Sequence, residues 1–199
     1  MQDNVLKFKK EKILIEGKRY EAELQYFEKK DRKWLRELYS HWSTLRTELK
    51  KAKARGPNFP EGISEVAFAI VFNAPRVLSV KGTSGSFDNY DIKKHKRIQV
   101  KATSVKTDLS TFGPKSEWDV LYFLDFYRDG KFDGKFDVYI IPNKLVPIQI
   151  VKKKTNQTFK DYQKLGKRPR FSVERKIIRP RKIKPVKRCR IWNNKQLNI

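Results

Sequence analysis

The stretch SFDNYDIKKHKRIQVKATS, residues 86–104, places two aspartates, a glutamine and a lysine within one short segment. Polar and apolar residues alternate on both sides of the lysine-rich KKHK, a pattern that predicts two antiparallel strands joined by a tight turn. Because side chains alternate between the two faces of a strand, the length of the turn decides which aspartate shares a face with Gln99 and Lys101.

An even-length turn centred on Lys94 and His95 pairs Asp88 with Lys101. Asp88 and Gln99 then share the face of Lys101, whereas Asp91 points to the opposite face. An odd-length turn would exchange the two aspartates. The simplest interpretation of the even-length arrangement is a cross-strand ion pair between Asp88 and Lys101, which contributes roughly a few tenths of a kcal/mol to stability.

The charge of the chain indicates a polyanionic partner. Its 199 residues contain 47 Lys and Arg against 22 Asp and Glu, a formal net charge of +25. Such a charge opposes compaction unless a polyanion offsets it, and nucleic acid is the most common partner because phosphate neutralisation releases condensed counterions. The chain is long enough for one domain with a substantial core.

Several other classes are disfavoured. The longest apolar runs, such as VAFAIVF, are far shorter than a membrane span, and the N-terminus does not resemble a signal peptide, so we expect a cytoplasmic protein without a membrane partner. The single cysteine, Cys189, allows no internal disulfide or multi-cysteine zinc site. The sequence contains no P-loop or serine-hydrolase elbow, and we expect no small-molecule substrate.

Hydrophobic periodicity predicts a mixed α/β architecture. Residues 5–15 form a short hairpin or an extended arm, and spacings of three, four and seven predict one long amphipathic helix over residues 20–55. A buried second helix over EGISEVAFAIVFNA follows the Gly-Pro break. Strands are expected at RVLSVKG, WDVLYFLDFY and FDVYIIP, with a further strand at PIQIVKK and a Thr-capped helix at TFKDYQKL.

The C-terminal part is strongly basic. Residues 166–195 contain 13 Lys or Arg and a single acid, Glu174, and three prolines make a continuous helix impossible. Apolar residues punctuate this region, which predicts extended segments that bury alternate side chains and present arginines outward.

The hairpin, a buried helix that carries Glu65 and the basic surface together resemble the PD-(D/E)XK nuclease superfamily. In that superfamily a helix, a strand with an aspartate and a strand with (D/E)-X-K build one site, and SFD…RIQVKATS is similar to this motif. FGPKSEWDVLYFLDF is similar to the next strand of small type II restriction endonucleases. The resemblance covers residues 61–142 and implies a restriction-endonuclease-like α/β/α sandwich with a central mixed sheet, an N-terminal long helix and a basic C-terminal extension.

The resemblance also implies roles for individual residues. Asp88 would bind Mg²⁺, Lys101 would be the motif lysine, and the Val100 carbonyl would be a further metal ligand. Gln99 stands where the family usually has Glu or Asp, so the site has one anion fewer, for which Glu65 on the preceding helix would compensate. All of Asp88, Gln99, Lys101 and Glu65 would then be catalytic, and the reaction would be Mg²⁺-dependent phosphodiester hydrolysis.

We therefore expect a single nuclease domain over residues 1–199, with an N-terminal arm and long helix (1–56), a catalytic core (57–151) and a DNA-binding C-terminal region (152–199). The substrate would be double-stranded DNA with a short G/C-rich palindrome, cut by a homodimer because protein symmetry mirrors site symmetry. The long helix is the candidate dimer element or DNA clamp. The candidate DNA-binding residues are Lys106, Lys115, Arg168, Arg170, Arg175, Arg179, Arg181, Arg188 and Arg190.

Two alternatives remain open from the sequence. One is a structure-specific resolvase or repair nuclease of the same superfamily, which would recognise the shape of DNA and not its sequence. The other is a non-catalytic nucleic-acid-binding protein of ribosomal type, for which a charge of +25 is ordinary.

Overall fold

The computed structural model describes residues 7–83, 85–127, 130 and 133–191. Its centre is an eight-stranded sheet in the order β1-β2-β3-β4-β5-β7-β8-β12, in which β5 and β7 are parallel and all other neighbours antiparallel. The predicted mixed sheet is therefore confirmed. The sheet strands are β1 (Lys7–Ile15), β2 (Lys18–Tyr26), β3 (Arg76–Val80), β4 (Asn89–Asp91), β5 (Lys96–Thr103), β7 (Val120–Asp125), β8 (Lys135–Ile141) and β12 (Lys187–Arg190).

The remaining elements lie outside this sheet. Two helices, α1 (Arg32–Lys51) and α2 (Glu61–Phe72), precede β3, and a short helix α3 (Phe159–Lys164) lies late in the chain. Two small sheets consist of β6 (Ser110–Thr111) with β11 (Arg170–Phe171) and of β9 (Ile150–Lys152) with β10 (Gln157–Thr158). The predicted Thr cap of α3 is confirmed, because the Thr158 hydroxyl accepts a hydrogen bond from the Asp161 amide.

The two faces of the sheet are covered by different layers, as the α/β/α prediction requires. On one face α1 and α2 pack on Ile98, Val100 and Leu124. On the other face Leu121 and Phe123 pack against α3 and the C-terminal segment. Successive residues of β5 point to opposite faces, so Gln99 and Lys101 lie on the face away from α1 and α2.

The prediction of one long helix over residues 20–55 was wrong at its N-terminal end. Residues 18–26 form β2, and α1 begins only at Arg32. The alternation of Tyr20, Ala22 and Leu24 is a strand pattern, and the tight turn at Glu16–Gly17, where both residues have positive φ, closes a hairpin with β1. The spacing of Leu24 matched a helix by coincidence.

The C-terminal segment departs from the prediction of extended structure alone. Residues Glu174–Ile178 form a π-helical turn, and only Lys187–Arg190 pair as a strand with β8. The turn buries Ile177 and Ile178 in the second core. The Asp108 carboxylate accepts hydrogen bonds from the amides of Val173 and Glu174 and so fixes the start of the turn.

Basic residues line both outer strands of the sheet. The strand at one edge, β1, carries Lys7, Lys9, Lys10 and Lys12, and β12 at the other edge carries Lys187, Arg188 and Arg190. None of the helices formed by the described residues has the length and apolar character needed to cross a membrane.

Candidate active site

The hairpin of β4 and β5 brings Asp88 and Gln99 together as the parity argument predicts. Asn89 pairs with Ile98 and Tyr90 with Arg97, which sets Asp88 opposite Gln99. The predicted pairing of Asp88 with Lys101 was wrong by two residues, because the turn spans residues 92–95. The shift is even, so the predicted assignment of faces is unaffected.

Asp91 has a different role in the same hairpin. Its Oδ1 accepts hydrogen bonds from the amides of Lys93 and Lys94, each at 3.0 Å, so the side chain caps the turn. At the end of the turn His95 adopts a left-handed conformation with φ of 52°. The Asp91 side chain therefore stabilises the turn, whereas the Asp88 side chain points toward β5.

The Asp88 carboxylate is fixed by its neighbour strand. Its Oδ2 accepts a hydrogen bond from the Val100 amide at 2.7 Å and another from the Gln99 side-chain amide. Gln99 is buried, with 2% of its surface exposed. Because the amide nitrogen of Gln99 is used by the carboxylate, its carbonyl oxygen is the atom that could serve as a ligand.

The electrostatic environment of Asp88 favours the neutral acid. Burial raises the pKa of Asp88 to about 7, and Lys101 opposes this rise through its positive charge. The negative charges of Glu65 and Glu61 raise the pKa further, whereas the hydrogen bond from Val100 lowers it. The protein thus leaves a buried carboxylate with too little positive charge nearby, a state that a bound cation would relieve.

Two carboxylates of α2 are close enough to Asp88 to raise its pKa through their negative charge. Glu65 is buried and forms an ion pair with Arg76 on β3. Glu61, in the first turn of α2, is exposed and lines a cleft that also contains Val100 and Lys101. Glu65 was predicted from the sequence, and Glu61 was missed, because only the orientation of α2 against β5 brings its first turn to the cleft.

Lys101 stands in this cleft, which has a volume of about 610 Å³. Its ammonium nitrogen lies 5.5 Å from the ring centroid of Phe112. Within the described ranges Lys101 has no carboxylate within 4.0 Å. Its charge is therefore available to a ligand that enters the cleft.

The donor set suits a hard divalent cation. The Asp88 carboxylate, the Gln99 amide oxygen, the Val100 carbonyl and the carboxylates of Glu65 and Glu61 are all oxygen donors, the type that Mg²⁺ prefers. Among the described residues no three His, Cys, Asp or Glu side chains already converge in a metal-binding cluster. The raised pKa of Asp88 and its two acidic neighbours nevertheless fit a cation at this position.

The nine predicted DNA-binding residues are all exposed but are not gathered in one place. Arg170 is the one that lines the cleft with Lys101. Lys106 and Arg179 line a second cavity of about 400 Å³, where Arg179 pairs with Glu174. Arg188, on the edge strand β12, lies 3.8 Å from Asp137.

Three further cations line the cleft and were not singled out from the sequence, namely Arg46 and Lys50 of α1 and Arg55 beyond it. Arg46 and Lys50 are four residues apart and therefore share one face of the helix. That spacing was visible in the sequence, but the packing of this face beside β5 was not.

Comparisons with known proteins show the family of the chain. The model of the Bsp6I restriction endonuclease family matches residues 27–180. The chain is also 35% identical over 167 residues to the type II restriction enzyme Bsp6I from Bacillus sp. (strain RFL6), which covers 81% of this chain and 88% of that enzyme. The chain belongs to the Bsp6I restriction endonuclease family.

The part that matches the Bsp6I family runs from the end of β2 to the π-helical turn and contains every residue of the cleft. Membership supports a restriction endonuclease, and it is consistent with the PD-(D/E)XK superfamily that the hairpin resembles. No solved structure matches this member of the Bsp6I family.

Proposed function

We propose that the protein is a type II restriction endonuclease that hydrolyses double-stranded DNA with Mg²⁺ as cofactor. The observation that carries this proposal is the position of Asp88, which is held by Gln99 and Val100 on the strand whose Lys101 lines the cleft. A net charge of +25 favours a polyanionic partner, and the family membership supports DNA.

In this proposal Asp88, the Gln99 amide oxygen and the Val100 carbonyl hold Mg²⁺, with Glu65 as the additional acid. When bound, Mg²⁺ would supply the positive charge that polarises the scissile phosphate. Lys101 orients the attacking water in line with the leaving oxygen and stabilises negative charge that develops on the phosphate. The products carry a 5′-phosphate and a 3′-hydroxyl.

Arg76 holds Glu65 and lowers the net negative charge that Glu65 offers to a cation. Glu61 forms no such ion pair with the described residues, and it lines the cleft itself. We therefore include Glu61 as a second candidate ligand. Calorimetric titration of Mn²⁺ into the Glu65→Gln and Glu61→Gln variants distinguishes the two candidates. The substitution that weakens Mn²⁺ binding identifies the acid that is a metal ligand.

The recognition site follows from the same proposal. A short G/C-rich palindrome fits an arginine-rich surface, because arginine to guanine is the commonest specific contact with a base. A homodimer cuts such a site symmetrically. The whole chain acts as one nuclease domain in the cytoplasm, and the nine exposed basic residues, from Lys106 to Arg190, bind the DNA backbone or its bases.

Incubation of the purified protein with phage DNA tests the proposal. Discrete fragments that form with Mg²⁺ and not with EDTA support it, and sequencing of the fragment ends gives the site and the cleavage stagger. A smear, or cutting of branched DNA alone, would instead support a structure-specific nuclease of the same superfamily. DNA binding with no cleavage under any metal would rule out both nucleases.

Lys101→Met tests the active site itself. The substitution removes the ammonium group but keeps a chain of similar length over Phe112. We expect the cleavage rate to fall by about 10²-fold or more, with DNA binding retained. Lys96→Met, at the exposed start of the same strand, is the matched control and should cut like the unchanged protein.

A further inference from the structure

The C-terminal half of α1 forms one wall of the cleft that contains Lys101. This wall consists of Arg46, Lys50 and the segment from Ala54 to Phe59. The same cleft is also lined by residues 100–105 of β5 and the chain after it, and by Arg170. The cleft therefore lies between the C-terminal end of α1 and the C-terminal end of the motif strand.

The charge of this cleft is almost entirely positive. Its lining contains five cations, namely Arg46, Lys50, Arg55, Lys101 and Arg170, and Glu61 is the acid among the described lining residues. Lys50 and Arg55 have no carboxylate within 4.0 Å among the residues that the structure describes. Like charges gathered in this way repel one another unless an anion lies between them.

The wall is held in place by contacts around Arg46. The Arg46 guanidinium lies 5.4 Å from the ring centroid of Trp42 and donates a hydrogen bond to the Ser104 hydroxyl at 3.1 Å. The Trp42 indole in turn donates to the Asn58 carbonyl. A side chain at Gly56 would place its Cβ 2.9 Å from the Arg46 side chain, so only glycine allows this close packing.

The size of the cleft limits what it can hold. A volume of about 610 Å³ is comparable to a small-ligand pocket and cannot enclose a duplex. A short length of one sugar-phosphate backbone fits the volume, and its charge matches the lining. Under the proposed function this is the strand that is cut, because Lys101, the proposed catalytic lysine, lines the same space.

We propose that Lys50 and Arg55 form a phosphate-binding subsite that grips the backbone of the cleaved strand beside the scissile bond. The proposal rests on the proposed function and deepens it. It assigns the C-terminal half of α1 and the segment that follows it to DNA, and any dimer contact to other surfaces. Arg46 keeps the wall in position through Trp42 and Ser104.

The test is the salt dependence of DNA binding. Binding of a fluorescent 30-bp duplex to Lys50→Ala/Arg55→Ala is measured by anisotropy in EDTA between 50 and 300 mM KCl. Each lost phosphate contact should reduce the slope of log K against log salt by about 0.9, so the slope falls by about 2. We expect affinity at 100 mM KCl to fall about tenfold or more.

Lys33→Ala/Lys51→Ala is the matched control, because it also removes two positive charges, at exposed positions of α1 that do not line the cleft. The control should keep the slope of the unchanged protein. Equal slopes for the two double variants would overturn the subsite. Thermal melting of both variants checks that the fold is intact, as expected because all four side chains are exposed.

The two proposals fail in different ways. If the unchanged protein cuts DNA with Mg²⁺ but Lys50→Ala/Arg55→Ala binds like the control, the subsite is wrong and the proposed function stands. If the unchanged protein neither binds nor cuts DNA, both proposals are wrong.

Discussion

The two ends of β5 carry charged networks of opposite character. At its start, the Arg97 side chain is 12% exposed and pairs with Glu16, Glu117 and Asp119 at 2.9 to 3.2 Å. Asp119 also accepts a hydrogen bond from the Arg97 amide. Although burial alone would raise the pKa of Asp119, these contacts with Arg97 outweigh it and lower that pKa below its usual range.

At the other end of the strand, on the same face, the balance is reversed. Asp88 faces Gln99, which is neutral, and the pKa of Asp88 rises to about 7 because of burial and despite the charge of Lys101. Lys101 lines an open cleft, and Arg97 is enclosed by acids. The charges around Arg97 are therefore compensated, whereas those around Asp88 and Lys101, four residues further along β5, are not.

The comparison teaches how to tell structural from functional charges in this protein. A compensated network stabilises the fold, and its loss lowers stability. An uncompensated carboxylate lowers stability, and such a group persists where a ligand supplies the missing charge. Single substitutions in each network test this distinction.

Asp88→Asn should separate activity from stability. The carboxamide oxygen still accepts a hydrogen bond from the Val100 amide, but it offers no charge to a cation. We expect the Mg²⁺-dependent cleavage rate to fall by about 10³-fold or more and the melting temperature to stay equal or rise. Plasmid cleavage and thermal melting measure the two quantities, and a cleavage rate like that of the unchanged protein would contradict the assignment.

Arg97→Ala should show the opposite behaviour. It leaves Asp119, with 27% of its side chain exposed, without its cation. We expect a loss of about 3 kcal/mol in the free energy of unfolding, which lowers the melting temperature by about 6–12 °C. Lys96→Ala, the exposed neighbour, is the control. A decrease no larger than that of the control would show that the network is not stabilising.

Asp125 on β7 extends the comparison to a third carboxylate. Burial raises its pKa to about 6, and the hydrogen bond from the Tyr127 amide opposes this rise. Glu174, Asp137 and Asp108 raise the pKa further through their negative charge. Asp125 should therefore behave as an uncompensated group.

The sign of its pH dependence follows from the raised pKa. The unfolded carboxyl ionises near pH 4, so between about pH 4 and pH 6 the folded state binds more protons, and stability falls as the pH rises. Asp125→Asn should remove this loss, which is at most about 3 kcal/mol. We expect a higher melting temperature for the variant at pH 7.5 and a smaller gain at pH 5, and an equal gain at both would contradict the mechanism.

Asp91→Ala is the smallest change and the check on strand parity. It removes the cap of the turn, so we expect a loss of about 1 kcal/mol in stability and an unchanged cleavage rate. Chemical denaturation and plasmid cleavage measure these effects. Loss of cleavage comparable to that of Asp88→Asn would mean that the two aspartates had been assigned the wrong way round.

Much of the hairpin could be predicted from the sequence, because strand parity depends only on alternation. The register was displaced by two residues, since it depends on a turn in which Asp91 caps two amides and His95 takes a positive φ. Neither contact has a signature in composition. The parity, which decides the site, was unaffected.

The cleft could not be predicted in the same way. Lys50 and Arg55 are ordinary basic residues of a basic chain, and their position depends on how α1 packs against β5. The predicted start of the helix was also too early. The helical spacing of α1 continues backward through Phe27 to Leu24, and Leu24 lies in β2. Local periodicity predicts which face of a helix or strand is buried, but it does not predict which elements line the same cleft.

The basic strands at the two edges of the sheet bear on how the protein avoids aggregation. An open edge presents unpaired amides and carbonyls and invites another strand to pair with it. Four lysines on β1 and three basic residues on β12 oppose such pairing, because a second copy would bring like charges together. Among the described residues, growth of the sheet from one molecule into the next is therefore disfavoured at both edges.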